Sequence, residues 1–141
     1  MVFLLAYLES TIFLGLSILH FHWAFGGSWG FDYSLPTDTD GNKVLNPTKK
    51  DSAIVGFGLL LFALFYQLKK GVIFIELPVW VFTTMGWVIG VIFLLRAIGD
   101  FKYIGFFKKV KETDFGKRDQ KYYSPLCVFV SINAFTIELL S

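Results

Sequence analysis

The sequence predicts an all-α integral membrane protein, with four transmembrane helices and an amphipathic helix on the cytoplasmic surface. Three observations carry this expectation. Four apolar runs approach or reach the ~20 residues that a helix needs to cross ~30 Å of hydrocarbon. The 141 residues are 55% hydrophobic and 19% aromatic but only 17% charged, against about 25% charged for ordinary soluble domains. The basic residues, finally, cluster in two of the three connections. The runs fall at about 2–25, 52–68, 77–98 and 124–140, joined by long connections at 26–51 and 99–123, so that 1–141 forms a single membrane domain with no room for a separate soluble catalytic one.

The first run lacks the basic leader and small-residue cleavage site of a signal peptide and is expected to stay in the mature chain. It carries Glu9, His20 and His22. Glu9 and His20 stand about three turns apart on one helical face, which should look into the bundle, because ionisable groups facing lipid are costly. His20 and His22 point about 200° apart on a helix and cannot grip one ion together, so no metal is expected. The connection that follows, WAFGGSWGFDYSLPTDTDGNKVLNP, offers Trp23 and Trp29 as interface anchors. Gly26, Gly27 and Gly30 serve as turn formers, and a short hairpin is expected around Asp40-Gly41-Asn42.

The second run opens on Asp51-Ser52 as capping residues. Only a few residues link it to Pro78 at the start of the third, which predicts that these two spans are antiparallel neighbours. Thr83, Gly86, Gly90 and Ala97 lie along one side of the third span and favour close helix approach, either within the chain or across a dimer. Arg96 and Asp100 are spaced to pair where that span ends. From Phe101, the residues Tyr103, Ile104, Phe106, Phe107 and Val110 fall on one helical arc, with Lys102, Lys108 and Lys109 opposite, which is the amphipathic surface helix. Ser124-Pro125 is expected to cap the fourth span. Asn133, near its middle, should seek a hydrogen bond to another helix.

The first and third connections, with Arg96, hold 11 of the 13 basic residues, leaving Lys69 and Lys70 on the other side. Positive loops stay inside, which predicts a multi-pass membrane protein with both long connections in the cytoplasm and both termini outside. The lone Cys127 excludes an internal disulfide and a cysteine-cluster metal site. The net charge of +2 gives no reason to expect a nucleic-acid partner.

Two blocks, HWAFGGSWGFDYSLP and RAIGDFKYIGFFKKVKETDFGKRDQKYYSPLC, resemble a widespread but uncharacterised bacterial family of small four-span membrane proteins, and the likeness covers nearly the whole chain. The resemblance implies the four-span topology and a place in the bacterial cytoplasmic (inner) membrane, and no mechanism. It points to Trp23, Gly26, Gly27, Trp29, Gly30, Arg96, Gly99, Asp100, Tyr103, Phe107, Tyr123, Pro125 and Leu126.

Three functional classes are open to such a chain. In the favoured one, the two cytoplasmic connections hold a partner, an anionic lipid headgroup or a small molecule, which arginine and lysine beside interfacial aromatics suit. In the second, a small proton-coupled transporter uses Glu9 and His20. In the third, a membrane enzyme uses His20, His22, Arg96 and Asp100, although no known catalytic spacing supports it. Glu9, His20, His22, Arg96 and Asp100 are thus the candidate polar site, and Trp23, Gly26, Gly27, Trp29, Gly30, Tyr103, Phe107 and Tyr123 the candidate cap. No cofactor is expected. The lipid bilayer is the expected surrounding, with a protein partner or a second copy of the chain as further partners.

Overall fold

A computed structural model describes residues 1–141 as helices joined by two folded connections. The helices are α1 (Val2–Ala24), α2 (Lys49–Lys69), α3 (Val79–Ile98), the short α4 (Asp114–Arg118) and α5 (Ser124–Leu140). Four helical stretches are long and apolar enough to cross a membrane, the last running unbroken from Asp114 to Leu140. Two helix starts differ from expectation. Thr48 caps α2 in a reciprocal box: its hydroxyl accepts from the Asp51 N–H at 3.2 Å, and the Asp51 carboxylate accepts from the Thr48 N–H at 2.9 Å, so the helix begins a turn earlier than Asp51-Ser52 suggested. Ser124 caps nothing, because Thr113 starts the final stretch by accepting from Gly116 N–H at 3.0 Å. The chain then passes through a π-helical turn, Asp119–Tyr123, into α5. Pro125 has no N–H to give to the regular ladder just there.

The closest helix pairs are α1 with α2 and α3 with α5, and α1 also meets α5. Serines tie these pairs together. Ser10 donates to the Ala63 carbonyl (3.0 Å), Ser17 to Gly56 (2.6 Å) and Ser131 to Gly90 (2.8 Å). Each such bond needs a small residue opposite so that backbone comes within reach. Asn133 supplies the α5–α1 link, donating to the Glu9 carboxylate at 2.5 Å and to the Leu5 carbonyl at 3.1 Å. Helices α2 and α3, expected as close antiparallel neighbours, instead meet through long side chains: Phe65 stacks on Phe82 at 6.4 Å, and Lys69 donates to the Phe82 carbonyl and pairs with Glu138 at 2.9 Å. Their backbones stand apart because bulky rings rather than small residues fill the gap. At mid-height Phe13, wholly buried, packs on Phe62, Tyr66 and Phe93 with ring centroids 5.3–6.1 Å apart.

The amphipathic surface helix does not form. Residues 99–113 make a folded irregular loop. Gly99 and Gly105 take φ of 87° and 88°, and a Cβ on either would run into the other's stretch of backbone. The Asp100 carboxylate captures three amides, those of Lys102, Tyr103 and Ile104, at 2.8–3.0 Å. A left-handed glycine at each end of the turn and a side chain holding amides that a helix would need defeat the helical arc, apolar as its spacing is. The expected Arg96–Asp100 pair does not form: one Asp100 oxygen takes all three amides, and Arg96 donates to Asp119 instead. Burial alone would raise the Asp100 carboxyl, but these backbone N–H groups outweigh it and hold it below the ordinary carboxylate range.

Gly86 and Gly90 of α3 face α5 within the chain, whereas Thr83 is exposed. A Cβ at Gly90 would collide with the Phe135 ring, and one at Gly86 with the Glu138 carboxylate. Gly58 on α2 has open space around it. Gly90→Leu should therefore lower the melting temperature in detergent by the equivalent of about 1–3 kcal/mol of overpacking, while Gly58→Leu leaves it nearly unchanged. Equal, small shifts in both, with a change in oligomeric state for Gly90→Leu, would assign that face to a dimer instead.

Candidate functional site

The two long connections meet at the end of the bundle away from the termini, and the residues that join them are aromatic and cationic. Trp23, in the last turn of α1, donates its indole N–H to the Trp29 carbonyl at 2.7 Å and packs edge-on against Phe31. This folds the Gly26–Gly30 loop beneath it. Across from this loop, Tyr123 donates its hydroxyl to the Tyr33 carbonyl at 3.1 Å, and the Arg118 guanidinium stacks over the Tyr33 ring at 3.9 Å. Together they form one cap over the helix ends.

The centre of the cap is a buried charge cluster. Arg96, at the end of α3, donates to one Asp119 oxygen at 3.0 Å, and Lys108 sits 3.2 Å from the other. That second oxygen also accepts the Gly105 N–H at 2.8 Å. Asp119 and the Lys108 side chain have no exposed surface. Lys108 spends its remaining donors on the Gly105 carbonyl and the Gln120 amide oxygen, both at 3.0 Å. Two cations thus face one carboxylate, which leaves the cluster one positive charge in excess. Arg96 is the member with capacity to spare. It makes one hydrogen bond out of five N–H groups, its Nη1 has no partner, and its side chain is 32% exposed.

Beside Arg96 lies a cavity of about 430 Å³, bounded by α1, α2, α3, α5 and both connections. Its walls are mainly apolar, from Leu16, Val55, Leu59, Phe93 and Leu126 among others, with Arg96, His20, Ser52 and Tyr123 as polar points. His20 gives its Nδ1 to the Leu16 carbonyl at 2.7 Å and rests edge-on against Trp23, leaving Nε2 without a protein partner. Asp51 borders the cavity too, but its carboxylate is held in the capping box of α2. The lone Cys127 is buried in the wall.

Of the residues singled out from the sequence as candidate polar site or cap, His20, Trp23, Arg96 and Tyr123 come together at this cavity, with Leu126 in its wall. The other candidates do not. The His22 ring folds over Gly27, away from His20. Asp100 serves its own turn, Tyr103 carries Lys102 over its ring at 5.1 Å, and Phe107 is 62% exposed beside Phe101. Trp29 offers its carbonyl to Trp23 and exposes its ring, and the Gly30 carbonyl goes to Ser34 rather than to Arg96. Glu9 is wholly buried, bonded to Asn133, on the far side of Phe13 from His20. Sequence reasoning missed Asp119, Lys108 and Gln120. The signal for Asp119 was slight: a carboxylate inside the basic run KRDQK, within two turns of a span opposite an arginine that closes another.

The buried Lys108 gives a direct check on this folded loop. A lysine-acylating reagent applied to the native protein should modify Lys109 and Lys111 and spare Lys108, as read by peptide mass spectrometry. Equal modification of Lys108 and Lys109 would restore the exposed amphipathic helix.

No curated protein and no solved structure matches the chain. The arrangement of four apolar helices under a folded polar cap is carried by a stretch, residues 13–134, that matches a family described as "Protein of unknown function (DUF3995)", and the chain belongs to that family.

Proposed function

We propose that this protein is a membrane-embedded binding module whose cap end faces the cytoplasm and holds a small anionic molecule or an anionic lipid headgroup beside Arg96. The observation that carries the reading is the surplus cation at the cavity. An arginine with four unused N–H groups, in a cluster that is net positive, stands at the edge of an apolar-walled space of ordinary ligand-site size. Charge-assisted bonds from arginine to carboxylate or phosphate are among the strongest available at such a site. The cytoplasmic orientation is supported by the basic residues gathered in the two connections that build the cap.

The transporter and enzyme readings find less support. A relay from Glu9 to His20 would have to pass the rings of Phe13, Phe62, Phe93 and Tyr66, which pack together between them. An enzyme built on His20, His22, Arg96 and Asp100 would need His22 and Asp100, which the fold directs away from the cavity that His20 and Arg96 line.

Protein extracted in a lipid-preserving polymer and then denatured should release an anionic species in near-stoichiometric amount, read by mass spectrometry. Arg96→Gln should lose most of it, and Lys70→Gln, at the opposite end of the bundle, should not. Equal loads in wild type and Arg96→Gln, or no anion in either, would contradict the proposal.

A further inference from the structure

The dimensions of the cavity say more about its occupant than its charge does. On α2 the lining runs from Asp51 to Leu59, just over two turns, or about 12 Å at ~1.5 Å per residue. On α3 it runs only from Arg96 to Phe93, a single turn. The floor is closed. Phe93 packs on Phe13 with centroids 5.3 Å apart, and Phe13 has no exposed surface and stacks in turn on Tyr66. The roof is the joined connections, with Tyr123 bonded to Tyr33. A volume of about 430 Å³ under that roof can enclose a small ligand but not the two chains of a phospholipid. The polar points sit at the cap end of the space, Arg96 on α3 and His20 on α1, while the deep end, between Leu59, Leu16 and Phe93, is wholly apolar.

We infer that the site takes a small amphiphilic acid: one compact anionic head, carboxylate or phosphate monoester, on a single apolar chain or ring no longer than about 12 Å. The head completes the hydrogen-bonding set of Arg96 and the excess positive charge of the Arg96–Asp119–Lys108 cluster. His20 Nε2, an acceptor while Nδ1–H is given to Leu16, is placed to take a proton-bearing oxygen of the head. The apolar part fills the shaft down to the Phe93–Phe13 floor, which acts as a ruler for chain length. This rests on the binding reading above and narrows it to free acids, excluding membrane phospholipids.

The test is a binding series in nanodiscs of neutral phospholipid, using straight-chain monocarboxylates from butanoate to hexadecanoate and the matching monoalkyl phosphates, with calorimetry as readout. Affinity should rise with chain length, pass through an optimum at short to medium chains and then fall, because longer chains meet the floor. The better of the two head series identifies the source of the anion. Arg96→Gln should weaken the best ligand on the order of tenfold. Val55→Phe and Leu59→Phe, each first checked for an unchanged melting profile, should move the optimum to shorter chains; either one suffices. Affinity that climbs without a maximum to hexadecanoate, that ignores chain length, or that responds only to phosphatidylglycerol added to the nanodisc would overturn the small-acid inference while leaving an anion site at Arg96 standing. No binding by any acid, with no effect of Arg96→Gln on phosphatidylglycerol, would overturn both.

Discussion

Burying a carboxylate at the edge of an apolar bundle is costly unless cations and amides surround it, and Asp119 has both. The rest of the cap depends on this. Arg96 arrives from the end of α3, Lys108 and the Gly105 amide from the loop that follows, and Asp119 itself from the π turn that leads into α5. One side chain therefore fixes the loop to both helices it connects. The loop's shape follows from the same demand. Gly105 must come close enough to offer its N–H, and only a left-handed glycine allows the chain to double back on Gly99 in doing so. Leaving a buried charge of this kind without its partner costs about 3–5 kcal/mol, against 0–1 kcal/mol for an exposed pair.

The bundle below follows a different rule. Without a hydrophobic force between helices in lipid, packing and cross-helix hydrogen bonds must set which faces meet. Serine-to-carbonyl bonds at Gly56, Ala63 and Gly90, and the Asn133–Glu9 bond, choose the close pairs. The bulky rings between α2 and α3 hold those two helices apart, and toward the cap α2 and α3 line opposite sides of the cavity. The fold thus joins a tightly specified cap to a bundle with an open space beneath it, at the place where the surplus charge of Arg96 is found.

Much of this was legible in the chain. Hydropathy and length reveal four long apolar helices, because a span of hydrocarbon imposes a length that few loops imitate. Asn133 was recognisable as a cross-helix donor for the same reason. The site was legible only in part. Arg96, His20, Trp23 and Tyr123 stand out as polar or aromatic residues at span ends, and they do meet. Asp100 was read as the partner of Arg96 because four-residue spacing suits a helix, but the helix stops at Ile98 and the side chain turns to its own backbone. Lys108 was read as solvated because a 3.6-residue period put it opposite the aromatic arc, and the period does not hold through Gly99 and Gly105. Asp119, in a run of charges that looks like surface, is buried by partners 11 and 23 residues before it. Periodicity is local, and an ion cluster assembled from three separate segments leaves no periodic trace.

The claim on which all of this turns is that Arg96 is paired with Asp119 and not with Asp100, and a double-mutant cycle of thermal stability in detergent reads it most directly. Arg96→Gln and Asp119→Asn should each lower the melting temperature clearly, with the double mutant little worse than either, a coupling of about 1–3 kcal/mol. Arg96→Gln combined with Asp100→Asn should be additive. Strong coupling of Arg96 to Asp100, with additive losses for Arg96 and Asp119, would contradict the account.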